Sequence, residues 1–588
     1  MKLIIKEYLS SLKERGELDA VLPDLLSQLG LNVYSRPGRG TRQDGVDVGA
    51  VGSLDDGPEK VYVFSIKPGD LTRKDWDGES AQSLRPSLNE ILDSYIPNRL
   101  PAEHRGKDIV ICIAIGGDVQ EQVRSSLTGF VAQNTKSNIS FQEWNGDKLA
   151  DLIQSSFLRE DLLPEHAQSN LRKSLAMLDE PEVSYRHFAE LIASLAAVDP
   201  LNDAQRITAI RQMSICLWIL FAWAREAKNT ESAYRASELT CLHAWNIMKL
   251  YTGKDTKTTR AVEAVFLEIF FAYREISREF LENDILPHVD KLHALSSAVN
   301  GSCSLDINLK LFDLLGRLGT EGIWMYWAAR RCSDEEKELR ESNLKAVEVC
   351  AAAIKSLISN NPVLLLPAKD DHGIDMFIAA LLLSTDRSNH DFIRSWLAEV
   401  IERARFSYEA NGRYPCVLRS YTELLEHPNS RESEYRENAT IASILYPIVA
   451  LWAALLGDDE VYRKVARMKQ ELLQHCTFQF WYPDDQSEAH FYTNNGAHGA
   501  TLADLALDRP REEFLAQVFG ECDHSPYFKD LSAVKFGWWP LIAVACRHYR
   551  LPIPLHLLEG LRKPATEIDG DKSMSADSRE ESRESKTS

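Results

Sequence analysis

The sequence predicts a small α/β domain over the first quarter of the chain, followed by a large all-α, solenoid-like helical array. Two observations carry this. Up to about residue 155, strand-like runs alternate with helix-periodic ones; beyond it, helical periodicity continues almost to the end. At 588 residues the chain is also too long for one ordinary core. The expected boundaries are 1–157 for the α/β domain, 163–561 for the helical region and 564–588 for a disordered tail.

Within the first region, Leu18, Val21, Leu22, Leu25, Leu26 and Leu29 recur at helical spacing, and Gly30 closes the stripe. Four strand candidates follow: VDVGAV, KVYVFSIK, DIVICIAIG and NISFQEW. Between them, SAQSLRPSLNEILDSYI and VQEQVRSSLTGFVAQN read as helices. The later region is read from stretches such as AIRQMSICLWILFAWAREA, AVEAVFLEIFFAYREISREFL, NLKAVEVCAAAIKSLI and EVYRKVARMKQELLQH. No fixed repeat period holds across them. The final KPATEIDGDKSMSADSREESRESKTS lacks apolar anchors, as a disordered segment does.

Composition narrows the function class. Apolar residues make up 44% and charged residues 26%, the balance of a soluble globular protein. A net charge of −20 argues against a histone-like polycation but leaves room for a local basic patch. The 10 cysteines are scattered singly, without the close spacing of a disulfide framework or a zinc site, and are expected as reduced thiols in a cytoplasmic protein. The first twenty residues lack the apolar core and cleavage site of a signal peptide. Ala439–Gly457 approaches transmembrane length, but it includes Thr440, Ser443 and Pro447 and has charges close on both sides, so a buried helix and no membrane are expected.

The chemistry-bearing feature is a lysine in the wrong place. The run Val61-Tyr62-Val63-Phe64 is apolar enough to be buried, yet three residues later it carries Lys67. A hairpin around the turn-rich GSLDDGPEK has its midpoint near Asp56, which sets Asp47 opposite Ser65. Side chains two apart on a strand share a face, so Lys67 joins them. A carboxylate, a hydroxyl and an ammonium on one face suit phosphodiester hydrolysis with a hard cation, which prefers oxygen ligands and needs only one or two protein carboxylates. A plain cross-strand ion pair at a sheet rim accounts for Asp47 and Lys67 as well. Gly45 before the aspartate and Pro68-Gly69-Asp70 after the lysine favour the functional reading, since a glycine lets a ligand or another backbone approach, although it also suits a plain turn.

The run GVDVGAV…VFSIK resembles the core of the PD-(D/E)XK restriction endonuclease-like superfamily, in its Mrr-like branch. There a helix acid precedes a G-V-D-I/V strand, and a second strand ends in (E/Q)-x-K. The resemblance covers about the first quarter of the chain and implies a restriction-endonuclease-like fold for it. Asp47 matches the metal-binding aspartate and Lys67 the catalytic lysine; Asp19, in Leu18-Asp19, falls at the helix acid; the Ile66 carbonyl is a main-chain ligand. Ile139–Ile153 resembles the closing strand and helix of such domains. Ser65 stands where the family has Glu or Gln, which removes a strong metal ligand. Pro23, four residues after Asp19, is expected to clash with its carbonyl and kink the helix. The implied activity is Mg²⁺- or Mn²⁺-dependent cleavage of nucleic acid, double-stranded DNA foremost, in a prokaryotic restriction or anti-phage setting. The helical region would recognise, gate or oligomerise, with another copy or a partner protein. A decayed nuclease fold that binds DNA or protein without cleaving it fits Ser65 too.

Other residues have two readings each. Arg36, Arg39 and Arg42 before the site, with Arg73 and Lys74 after it, suit either a phosphate-binding rim or a solvated loop. Trp76 stacks on a base or packs under the next helix. The aromatic, acidic stretch Phe478–Gly499, with His490 and His498 eight apart, lacks metal-site spacing and reads as polar loops closing helix ends. AIGGDVQEQ lacks the lysine of a phosphate loop, and no motif for nucleotide use is present.

Overall fold

The computed structural model describes residues 2–11, 18–36, 44–54, 57–78, 83–156, 165–197, 202–298, 303–494, 496 and 499–562. The predicted tail at 564–588 therefore lies outside the described residues, as do Arg39, Arg42, Asp56 and His498. The chain forms two compact units, Met1–Phe280 and Leu281–Ser588. A mixed α/β sheet region comes first and mostly helical structure follows.

In the first unit, α1 (Lys2–Ser11) and α2 (Asp19–Gln28) precede β1 (Asn32–Ser35), β2 (Val48–Gly52) and β3 (Lys60–Lys67). Then come α3 (Arg73–Asp77), α4 (Leu84–Glu90), β4 (Ile109–Ile115), α5 (Glu121–Asn134), β5 (Ile139–Trp144) and α6 (Gly146–Ser156). The five strands lie in sequence order, antiparallel from β1 to β3 and parallel from β3 to β5. Alternation along β3 explains its burial. Val61 and Val63 join Leu71, Trp76, Leu88, Ile91 and the odd-numbered isoleucines of β4 in one core. Phe64 turns to the opposite face, where its ring meets Trp144 edge-on at 5.1 Å. Helices α1, α2 and α6 pack together, and Lys6 of α1 pairs with Asp147 of α6 at 2.8 Å.

Two features of this region were not among the sequence expectations. β1 is a half-exposed edge strand of four residues, too short to show a period. The predicted helix over 80–96 divides in two: α4 gives way to a π-helical segment, Ile91–Arg99, with Pro97 inside it. Proline lacks the N–H that an α-helical turn requires, and the wider turn closes instead with Leu100 N–H donating to the Tyr95 carbonyl at 3.0 Å. Pro23 likewise sits inside α2, which runs on past the proline to Gln28.

The remaining helices of this unit are α7 (Glu165–Ala176), α8 (Pro181–Ala196), α9 (Asp203–Glu226), α10 (Glu231–Met248) and α11 (Lys257–Phe280). Among the described residues only α9 is long and apolar enough to cross a membrane, and most of it is buried inside the protein. The stretch singled out for that property, Ala439–Gly457, holds a 12-residue helix, Leu445–Leu456. At about 1.5 Å per residue it falls well short of a bilayer core.

In the second unit, the helix Ser304–Arg331 packs against Lys337–Asn360, His372–Leu383 and Pro540–Tyr549. Their meeting point is a charged cluster. Arg317 and Arg547 both pair with Asp313, at 2.6 and 2.8 Å, and Arg550 reaches buried Asp375 at 2.5 Å. Burial pushes the Asp375 carboxyl up to about 7 and the stacked His372 imidazole down to about 3. Nearby Asp370 caps the helix Leu445–Leu456, accepting from Ile444 N–H at 2.8 Å. The expectation of an all-α region needs one correction: Ala442–Ser443 pairs with Thr477–Phe478, and Phe480–Tyr482 with Ala500–Leu502. The aromatic run Phe478–Tyr482 suits extended backbone. Within it the polar residues close turns, Asp484 accepting from Gln486 and Gly499 N–H.

Candidate active site at the end of strand β3

The pairing of β2 with β3 runs from Gly52↔Lys60 to Val48↔Phe64. Asp47 is the next residue on one strand and Ser65 on the other. The ladder changes there: the Asp47 N–H still donates to the Phe64 carbonyl, at 2.9 Å, but the Asp47 carboxylate takes the place of backbone and accepts the Ile66 N–H at 2.7 Å. A charge-assisted bond of this kind fixes the carboxylate against β3.

The main chain of β3 explains why this spot is polar. Odd residues serve β4, with Val61 N–H donating to Asp108 and the Lys67 carbonyl accepting from Gly116. Even residues serve β2, so the Ile66 carbonyl points the same way as its N–H, toward the end of β2. Two oxygen donors, the Asp47 carboxylate and the Ile66 carbonyl, thus face a common region. On the core-facing side, Ser65 is 1% exposed and its hydroxyl has no hydrogen-bond partner among the described residues. Lys67, the last residue of β3, is 6% exposed. Beyond it, Gly117 N–H donates to Gly69 and Asp118 N–H to the Asp70 carboxylate, which knits the loops after β3 and β4 together. AIGGDV is therefore a packing turn. The site lies at the carboxyl end of the parallel strands, where open α/β sheets collect ligands.

The approach to Asp47 is held from below. Asp44 and Gly45 both have positive φ, 47° and 80°. A side chain on Gly45 would place its Cβ 2.1 Å from the Ser87 carbonyl oxygen of α4, so the glycine admits another backbone. Asp44 is 4% exposed and pairs with Arg99 Nε at 2.5 Å. Neither Asp44 nor Arg99 was singled out in the sequence. The Asp-Gly pair is a turn signal that could have marked Asp44, but nothing local points to a partner 55 residues on.

The other expected site residues are placed as follows. Asp19 opens α2 and is half-buried; among the described residues no three His, Cys, Asp or Glu side chains gather to hold a metal. Arg36 is exposed but tied to acids, reaching Glu268 of α11 at 3.3 Å and Asp24 of α2 at 3.8 Å. Burial, and then the neighbouring Asp24, push the Glu268 carboxyl well above the usual range. Arg73 and Lys74 are exposed on α3, whose start is capped by Thr72 and Asp75. Trp76 is buried and meets Phe130 edge-on at 5.7 Å.

No protein-family model, curated protein or solved structure matches this chain.

Proposed function

We propose that the protein is a divalent-metal-dependent nuclease whose N-terminal sheet carries the chemistry, with double-stranded DNA as the substrate. The observation that supports this most is the Asp47 carboxylate bound to the Ile66 N–H, beside a buried hydroxyl without a described partner and a buried lysine. The donor set is all oxygen, which suits Mg²⁺ or Mn²⁺: Asp47 supplies a carboxylate, Ile66 a carbonyl, and Ser65 a hydroxyl that binds directly or through water. When bound, the metal supplies an acidified water and polarises a phosphoryl oxygen. Lys67 orients the attacking water and offsets the charge that builds on the phosphate. Ser65 donates its hydroxyl hydrogen to whichever oxygen lies before it. Arg73 and Lys74 neutralise flanking phosphates. In the cell the activity belongs to cytoplasmic restriction or anti-phage defence, and the helical region recognises the target or a partner.

The test is plasmid cleavage with Mg²⁺ or Mn²⁺ by the parent, Asp47→Ala and Lys67→Ala. The parent is expected to cut, and each variant to lose on the order of 10²-fold or more, the scale for removing one transition-state contact. Equal activity in all three contradicts the proposal. Ser65 favours a second reading, a nuclease fold that binds without cutting. Ser65→Glu separates the two: a gain of cleavage in an inactive parent supports loss of function, whereas a fall from an active parent shows the serine in use.

A further inference from the structure

The turn before Asp47 is fixed at both of its ends. At the far end, the Asp47 main chain and carboxylate are bound to Phe64 and Ile66 of β3. At the near end, Asp44 sits in a left-handed conformation with its carboxylate buried and paired to Arg99. Between them Gly45 rests on the Ser87 carbonyl and Val46 enters the core. Arg99 is the last residue of the π-helical segment and is itself anchored, because Leu100 N–H closes that turn onto Tyr95. Its side chain is half exposed, whereas the carboxylate it meets is buried.

We infer that Arg99, acting through Asp44, is the positioning residue for the Asp47 carboxylate. The inference rests on the metal-site reading above. The ion pair sets where the turn lies, and hence where Asp47 meets the Ile66 N–H. Groups that orient a metal ligand without touching the metal affect affinity more than the chemical step.

The measurement is Mn²⁺ binding to the full chain by calorimetry, with cleavage followed as Mn²⁺ is raised. Arg99→Gln is expected to weaken Mn²⁺ binding by about 10- to 100-fold. Cleavage at saturating Mn²⁺ is expected to return close to the parent rate, since Lys67 and Ser65 are untouched. Arg99→Lys retains the charge and recovers part of the loss. Asp44→Asn combined with Arg99→Gln is expected to weaken Mn²⁺ binding no further than Arg99→Gln alone, because both substitutions act through one ion pair. Parent-like Mn²⁺ affinity in Arg99→Gln overturns the inference and leaves the nuclease reading standing, as does a fully additive loss in the double variant. A parent that binds no Mn²⁺ overturns both.

Discussion

Lys67→Met is expected to lower metal-dependent cleavage by orders of magnitude while leaving the fold intact. The parent lysine is almost wholly buried at the end of a strand whose preceding six residues, Val61 to Ile66, are all buried and carry no charge. Methionine fills the volume of the aliphatic stem and removes the cost of keeping an ammonium out of water. Asp47 keeps its bond to the Ile66 N–H in the variant, and being half-exposed it is still solvated. Unfolding is expected to stay cooperative in the variant, its thermal midpoint reporting what the ammonium contributes to the fold. Activity, on the proposed nuclease reading, loses a cation that offsets charge on the phosphate and falls on the order of 10²- to 10³-fold. Thermal unfolding and plasmid cleavage on the same sample check both halves. If the lysine were only one arm of a structural ion pair, the variant would lose stability and activity together.

Gly45→Ala acts on the same site through the backbone. A non-glycine residue in the left-handed region costs about 1–2 kcal/mol. The new methyl would also lie 2.1 Å from the Ser87 oxygen, 2.9 Å from its carbonyl carbon and 3.1 Å from Ile91 Cγ1. The first two are main-chain atoms of α4, and Leu84 and Leu88 of that helix are fully buried, so α4 has nowhere to retreat. The combined penalty is expected to exceed about 4 kcal/mol, the range reserved for backbone strain with overpacking. Thermal unfolding should show the first unit melting early, and hydrogen exchange should show β2 and β3 opening first. Gly129→Ala is the control. That glycine sits inside α5 with nothing within 4 Å of a new Cβ, and alanine there should stabilise by about 0.4–1 kcal/mol. A neutral Gly45→Ala would mean that the turn before Asp47 is not held as described.

The sheet was legible where its chemistry is local. Turn residues between two β-branched runs fixed the β2–β3 pairing, and strict alternation on β3 put Val61 and Val63 in the core on the side that carries Ser65 and Lys67. Elements without a period were not legible: β1 is four residues long, and the switch to a π-helical turn at Ile91 depends on how Pro97 and Leu100 satisfy their backbone groups. The supports of the site are farther still. Arg99 meets Asp44 only because the fold brings together two segments 55 residues apart. Arg36, which reads as a phosphate contact beside Pro37, is claimed by Glu268, 232 residues away. Sequence pattern places a residue on a face. It does not say which distant charge has already reached that face.

The central claim is tested most directly by titrating Mn²⁺ into the full chain in a calorimeter, with and without a short duplex DNA, for the parent and Asp47→Asn. The account predicts a saturable Mn²⁺ site in the parent that tightens when duplex is present and disappears in Asp47→Asn, whose amide oxygen can still accept the Ile66 N–H and keep the strand end folded. Mn²⁺ binding of equal strength in both proteins, or none in the parent even with duplex, contradicts it.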